Sequence, residues 1–170
     1  MHVLAISGSL QADSANTRLL VAVAERAPED VSVIVWGGLG EVPPFRPDAP
    51  DGGGAAVAEL RRLLAAADVV LVAVPEYAGG MPGTLKNAFD WIVGSGELYE
   101  RSVVLVSAAP DVARGQGGRR WAEETLRMQG SVVRASLSVA RRSAHPPEAL
   151  DHARAQVLAA RVSAPPPAGP

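Results

Sequence analysis

The sequence predicts an α/β fold: a doubly wound, five-stranded parallel sheet of strand order 2-1-3-4-5 with helices on both faces. Three observations point there. Short apolar runs alternate with segments of helical periodicity along most of the chain. The runs are apolar at consecutive positions rather than at every second one, the pattern of parallel strands covered on both sides. The run Val69–Val74 passes into Pro75-Glu76-Tyr77-Ala78-Gly79-Gly80-Met81-Pro82-Gly83, the kind of strand–loop–helix junction at which open α/β sheets hold ligands.

The elements follow in order. Val3–Ser7 is a short strand closed by Gly8. Asn16–Ala27 carries Leu19, Leu20, Val23 and Ala24 at helical spacing. Val31–Trp36 is β-branched and reads as the second strand. Residues 37–54 are a loop dense in glycine and proline, with Val42-Pro43-Pro44-Phe45 as an apolar anchor. Ala55–Ala67 is a helix with Val57, Leu60, Leu63 and Leu64 on one face, and Val69–Val74 is the third strand. Gly83–Val93 is the third helix, opened by Pro82 and burying Leu85, Ala88, Phe89 and Ile92. Ser102–Ser107 is the fourth strand, residues 108–118 a loop, and Arg119–Gln129 a helix ended by Gly130. Ser131–Ala135 begins the fifth strand, and residues 147–162 form the last helix. The expectation is one domain over 1–162, followed by a disordered, proline-rich tail at 163–170.

Composition narrows the function. The chain has 170 residues, enough for one domain with a full core. Its net charge of −2 argues against a nucleic-acid partner, because no basic stripe dominates. There is no cysteine, which removes thiol catalysis, thiolate metal sites and disulfides. His2, His145 and His152 lack metal-ligand spacing, so no metal is expected. No apolar run is long enough to span a membrane. The first ten residues read as a strand rather than a signal peptide, so a cytoplasmic location is expected.

In the predicted strand order the loops after strands 1 and 3 meet at the sheet's carboxyl edge. The first, Gly8–Thr17, leads into a helix N-terminus, where free N–H groups and the positive dipole end suit an anion. Ser9, Ser14, Asn16 and Thr17 add side-chain donors. The loop matches neither G-x-x-x-x-G-K-[ST] nor G-x-G-x-x-G. Small hydroxyl and amide donors suit a terminal monophosphate, as in FMN, better than the phosphates of ATP or NAD. The plain alternative is that Asp13 or Ser14 is an N-cap and the loop binds nothing.

Gly8-Ser9-Leu10, Ser14 and Asn16, taken with Pro75-Glu76-Tyr77, Gly79, Pro82-Gly83, Leu85-Lys86-Asn87-Ala88 and Asp90-Trp91, resemble the NADPH-dependent FMN reductase family, the flavodoxin-like group of flavin, quinone and chromate reductases. The resemblance covers roughly residues 2–160. It implies a flavodoxin-like fold and an enzyme using FMN with NADPH or NADH. It implies FMN contacts at Ser9, Gln11, Ser14, Ala15 and Asn16 for the phosphate, at Pro75, Glu76, Tyr77, Ala78 and Gly79 for the ring, and at Ser107 and Ala108 beyond it. No side chain is assigned to catalysis, because hydride passes through FMN N5. A small-molecule electron acceptor and a homodimer or homotetramer are implied as partners. Gln11 stands where the family has arginine, Ala78 where it has asparagine, and Gly80 where serine is common. A lost charge-assisted phosphate contact costs about 1.5–3 kcal/mol.

Other residues read more simply. Pro82, Gly83, Leu85 and Phe89 are helix start and core. Lys86, Asn87 and Asp90 brace a helix or a subunit contact, and Trp91 is core or dimer interface. Arg119 and Arg120 read as a solvated helix face rather than as a contact for an NADPH phosphate. Two further functions stay open: a flavodoxin-type electron carrier, against which the small net charge speaks, and a cofactor-free α/β binding protein.

Overall fold

The computed structural model describes residues 1–49, 52–110, 114–140 and 147–160. Part of the loop 37–54, part of the loop 108–118, His145, the last two positions of the predicted final helix and the predicted tail lie outside the described residues.

The sheet has five parallel strands in the order β2-β1-β3-β4-β5. They are β1 (His2–Ser7), β2 (Ser32–Trp36), β3 (Val69–Ala73), β4 (Ser102–Ala109) and β5 (Val132–Ala140). The helices are α1 (Ala15–Glu25), α2 (Gly54–Ala66), α3 (Gly83–Val93), α4 (Gln116–Met128) and α5 (Pro147–Ala160).

The central strands are buried on both faces, as their continuous apolar runs require. Alternate side chains go to opposite layers. Leu4, Ile6, Val70, Val72 and Leu105 pack with Leu60 and Leu64 of α2, Phe89 and Ile92 of α3 and Leu126 of α4. Val3, Ala5, Leu71, Val104 and Val106 pack with Leu19, Leu20 and Val23 of α1 and Leu150 and Val157 of α5. The edge strands differ. β2 alternates between exposed and partly buried positions before ending at buried Trp36. β5 runs to Ala140, five residues beyond the segment legible in the sequence. Its continuation, Ser136-Leu137-Ser138-Val139, interleaves polar and apolar residues, as an edge strand with a wetter outer face does.

Two elements shift for tertiary reasons. α4 begins at Gln116 rather than Arg119, because its first turn is stabilised from outside the helix, as described below. A 3-10 turn, Gly38–Glu41, interrupts the predicted loop 37–54, and its Leu39 is buried. The apolar anchor of that loop is held by α3. Trp91 Nε1 donates to the Pro43 carbonyl at 2.7 Å, Asn87 Nδ2 donates to the same oxygen at 2.8 Å, and Asn87 Oδ1 accepts from Phe45 N at 2.7 Å. The Phe45 and Trp91 rings meet edge to face at 5.2 Å. Asn87 and Trp91 therefore serve the packing of this chain, and Lys86 pairs with Asp90 one turn on at 2.5 Å.

Replacing Trp91 by phenylalanine keeps an aromatic ring against Phe45 but removes the donor to Pro43. Urea denaturation is expected to show a loss of about 1 kcal/mol. Leu71→Ala, in a wholly buried strand, is expected to cost about 2–5 kcal/mol.

Candidate functional site

The site lies at the carboxyl edge, where β1 and β3 are neighbours and Ser7 stands opposite Ala73. Gly8 N donates to the Ala73 carbonyl at 2.8 Å, tying the start of the first loop to the end of β3. Further out, Ser9 Oγ and the Tyr77 hydroxyl are 3.3 Å apart across 68 positions of sequence. On the other side Asn16 Oδ1 accepts from Ala108 N at 2.9 Å, joining the first loop to the end of β4. Three loops remote in sequence thus border one crevice of about 260 Å³.

Ser9, Gln11, Ser14, Ala15, Asn16, Pro75, Glu76, Tyr77, Ser107 and Ala108 all line it. Of the twelve predicted residues, Ala78 and Gly79 do not. They form the tip of a tight turn in which Tyr77 and Gly80 exchange backbone hydrogen bonds of 2.9 and 3.0 Å. Both tip residues have positive φ, 51° at Ala78 and 80° at Gly79, as both central residues of a type I′ turn must. Gly79 is in place for that backbone conformation, with open space around it. Ala78 adopts it at a cost of roughly 1–2 kcal/mol. The asparagine that the family resemblance puts at this position tolerates it far better. At Gly80, a side chain would run into the ring of Trp121, so the serine common there has no room.

At one end of the crevice α1 begins. Ser14 is its N-cap, 2 % exposed, and its Oγ accepts from Thr17 N at 3.5 Å. N-cap and crevice wall are therefore the same residue. Asp13 does not face the crevice: its side chain is 85 % exposed and paired with Arg18. The first turn of α1 holds no acidic residue, so the positive end of its dipole is left uncompensated by its own sequence.

Glu76 has a role that the sequence did not reveal. Its Oε2 accepts from Gly117 N at 2.8 Å and Gly118 N at 3.3 Å, two of the free amides at the start of α4. A carboxylate on the loop after β3 thus caps the helix after β4. The approach is close. A Cβ on Gly117 would lie 2.5 Å from the Gly79 carbonyl oxygen, and one on Gly118 2.8 Å from that of Pro75. The sequence motif Gly117-Gly118 looks like loop but is the first turn of α4, compressed against the second loop.

Sequence reasoning missed two arginines. Arg114 lies on the crevice wall in the third loop; it was the one basic residue in that predicted loop, which is the signal that could have found it. Arg119, expected on a solvated face, is 7 % exposed. It lies on the sheet-facing side of α4, where it donates to Ser107 Oγ and, at 3.2 Å, to Ser136 Oγ. Burial lowers its pKa from the ordinary arginine value, and the Glu76 carboxylate acts in the opposite sense. Arg120, by contrast, is solvated and lies near Glu124 one turn on. No group of metal-ligating side chains occurs among the described residues.

Comparison with known proteins identifies the family and the fold. A family model described as NADPH-dependent FMN reductase matches residues 1–146. A probable NADPH:quinone oxidoreductase 2 of Oryza sativa subsp. japonica is 38 % identical over 125 residues, 71 % of this chain and 60 % of the rice protein. A 2-hydroxy-1,4-benzoquinone reductase of Burkholderia sp. is 35 % identical over 91 residues, 54 % of this chain and 49 % of the relative. The chain thus matches about half to three fifths of the length of these relatives. The flavoenzyme NAD(P)H:(acceptor) oxidoreductase FerB of Paracoccus denitrificans shares the fold, with a TM-score of 0.75, 20 % identity and 95 % of each chain covered.

Two substitutions check the loop geometry by chemical denaturation. Ala78→Asn is expected to stabilise the protein by about 1 kcal/mol by relieving the positive-φ alanine. Gly118→Ala is expected to destabilise by about 1–3 kcal/mol, because the added carbon meets backbone rather than a yielding side chain.

Proposed function

The chain belongs to the NADPH-dependent FMN reductase family, and on that footing we propose that it is an FMN-dependent NAD(P)H oxidoreductase delivering hydride to a small acceptor such as a quinone or a flavin. The observation that supports this reading most is the meeting of three loops around one crevice, with a helix N-terminus and small hydroxyls at one end and no acid in that helix's first turn.

The residues present fit FMN. Ser9 and Ser14 offer hydroxyls, and the first amides of α1 offer N–H groups to a phosphate that the helix dipole favours. Asn16 has its Oδ1 engaged with Ala108 N, which fixes the amide so that its Nδ2 is left to donate. Asp13 is turned outward and neutralised by Arg18, which removes the one acid that would oppose an anion there. Pro75, Glu76 and Tyr77 form the wall for the ring, with Ser107 and Ala108 of the neighbouring strand end beside them. Glu76 keeps that wall rigid by holding the start of α4 against it. Ala78 and Gly79 set the turn that carries Tyr77 rather than touching the ligand. FMN supplies the chemistry when bound: its N5 takes hydride from NAD(P)H and yields it to the acceptor. The protein contributes position, exclusion of water and fixed dipoles.

The enzyme is a homodimer or homotetramer in this reading. α3 and α4 pack side by side, and both leave large apolar side chains in solvent, Val93 on the first and Trp121 and Met128 on the second.

Titration with FMN is expected to yield a yellow complex that oxidises NAD(P)H steadily once a quinone is present. Protein that stays colourless in excess FMN would refute the proposal. Gln11→Arg restores a charged donor to the first loop and is expected to tighten FMN by about tenfold or more, read by quenching of flavin fluorescence.

A further inference from the structure

Arg119 is a buried cation with little to balance it. Its two hydrogen-bond partners are neutral hydroxyls, Ser107 Oγ and Ser136 Oγ. Among the described residues it forms no ion pair with a carboxylate. Burial lowers its pKa despite the field of Glu76, so the desolvation cost outweighs the compensation available within the chain. A guanidinium keeps its proton at any ordinary pH, so the charge persists, only partly compensated by Glu76, rather than disappearing by deprotonation. Such a charge points to an anion elsewhere.

Its position says where. Ser107 is 1 % exposed and lies on the crevice wall. A hydroxyl whose oxygen accepts from a guanidinium still has its own O–H to donate, and the neighbouring charge polarises that donor. The third-loop wall of the crevice therefore offers a donor backed by a full positive charge, at a residue assigned above to the ring rather than to the phosphate.

We infer that Arg119, acting through Ser107, is a positioning residue that favours the reduced, negatively charged state of bound FMN over the oxidised state. This rests on the FMN reading above. NAD(P)H gives up a hydride, one proton with two electrons, and leaves as NAD(P)⁺. The flavin that accepts it at N5 takes no separate proton and so gains one negative charge. The acceptor, a quinone, then takes the hydride together with one proton from solvent and leaves as the quinol. The charge on the flavin exists only between these two transfers, and a fixed cation beside the ring stabilises that state alone.

The test measures the affinity of the protein, freed of any bound flavin, for oxidised FMN and, under anaerobic conditions, for reduced FMN, in the wild type, Arg119→Met, Arg119→Lys and Ser107→Ala. Arg119→Met is expected to weaken reduced FMN tenfold or more relative to oxidised FMN, which is about 30 mV more negative for a two-electron couple. Ser107→Ala is expected to shift the ratio in the same direction by less, and Arg119→Lys to recover most of it. A merely structural role would weaken both states alike. A ratio that moves less than twofold in Arg119→Met overturns the inference. Should that variant not fold, the same result in Ser107→Ala, which leaves Arg119 in place, overturns it. Wild-type protein that binds FMN in neither state refutes the FMN reading itself, and that failure is separate from an unchanged ratio.

Discussion

The pairing of β1 with β3 governs what the carboxyl edge can hold. The register sets Ser7 beside Ala73, and one more hydrogen bond, Gly8 N to Ala73 O, carries the contact just past the strands. There the two chains part. After β1 the chain turns to α1, which packs on the layer of Val3, Ala5 and Leu71. After β3 it turns to α3, on the opposite layer with Leu4, Ile6 and Val70. Neighbouring strands whose connections leave to opposite faces cannot cover the gap between them, and the crevice is that gap. The strand order thus creates the site before any individual side chain is considered.

What keeps the crevice open in one shape is a set of polar bonds made within the protein. Asn16 to Ala108 ties the first loop to the third, Glu76 to the α4 amides ties the second to the third, and Ser9 to Tyr77 ties the first to the second. Each uses a group that would otherwise be an unsatisfied donor or acceptor near a helix end or loop. A wall fixed in advance spares a ligand the ordering entropy of three loops. Outside this ring of contacts, Asn87 and Trp91 hold the Pro43–Phe45 segment on α3, so residues that belong to the family motif serve packing and not the crevice.

The charge pattern is a departure from the family resemblance. The first loop has Gln11 in place of an arginine and no other basic residue, and the next cation along the chain, Arg18 in α1, is engaged with Asp13. The arginines nearest the crevice are Arg114 on its wall and Arg119 beneath Ser107. Positive potential is therefore set by the third loop and α4 rather than by side chains of the first loop, which contributes the α1 dipole.

Much of this was legible in one sequence. Apolar runs at consecutive positions gave three of the five strands almost to the residue, because burial on both faces leaves no room for polar residues and the pattern is local. The strand order and the convergence of the first two loops followed from the alternation of strands and helices. One edge of the sheet was harder: β5 looked short because a half-wetted strand mixes serine with valine. The start of α4, the burial of Arg119 and the role of Glu76 were not legible. Their cause is a carboxylate more than a full helix away in sequence that completes the first turn of α4. The sequence by itself determined the layers, the order of strands and the chemistry of the first loop, all of which arise from periodicity and local composition. Only the tertiary structure decided which way Glu76, Asp13 and Arg119 point, because each direction is set by a partner brought in by the fold.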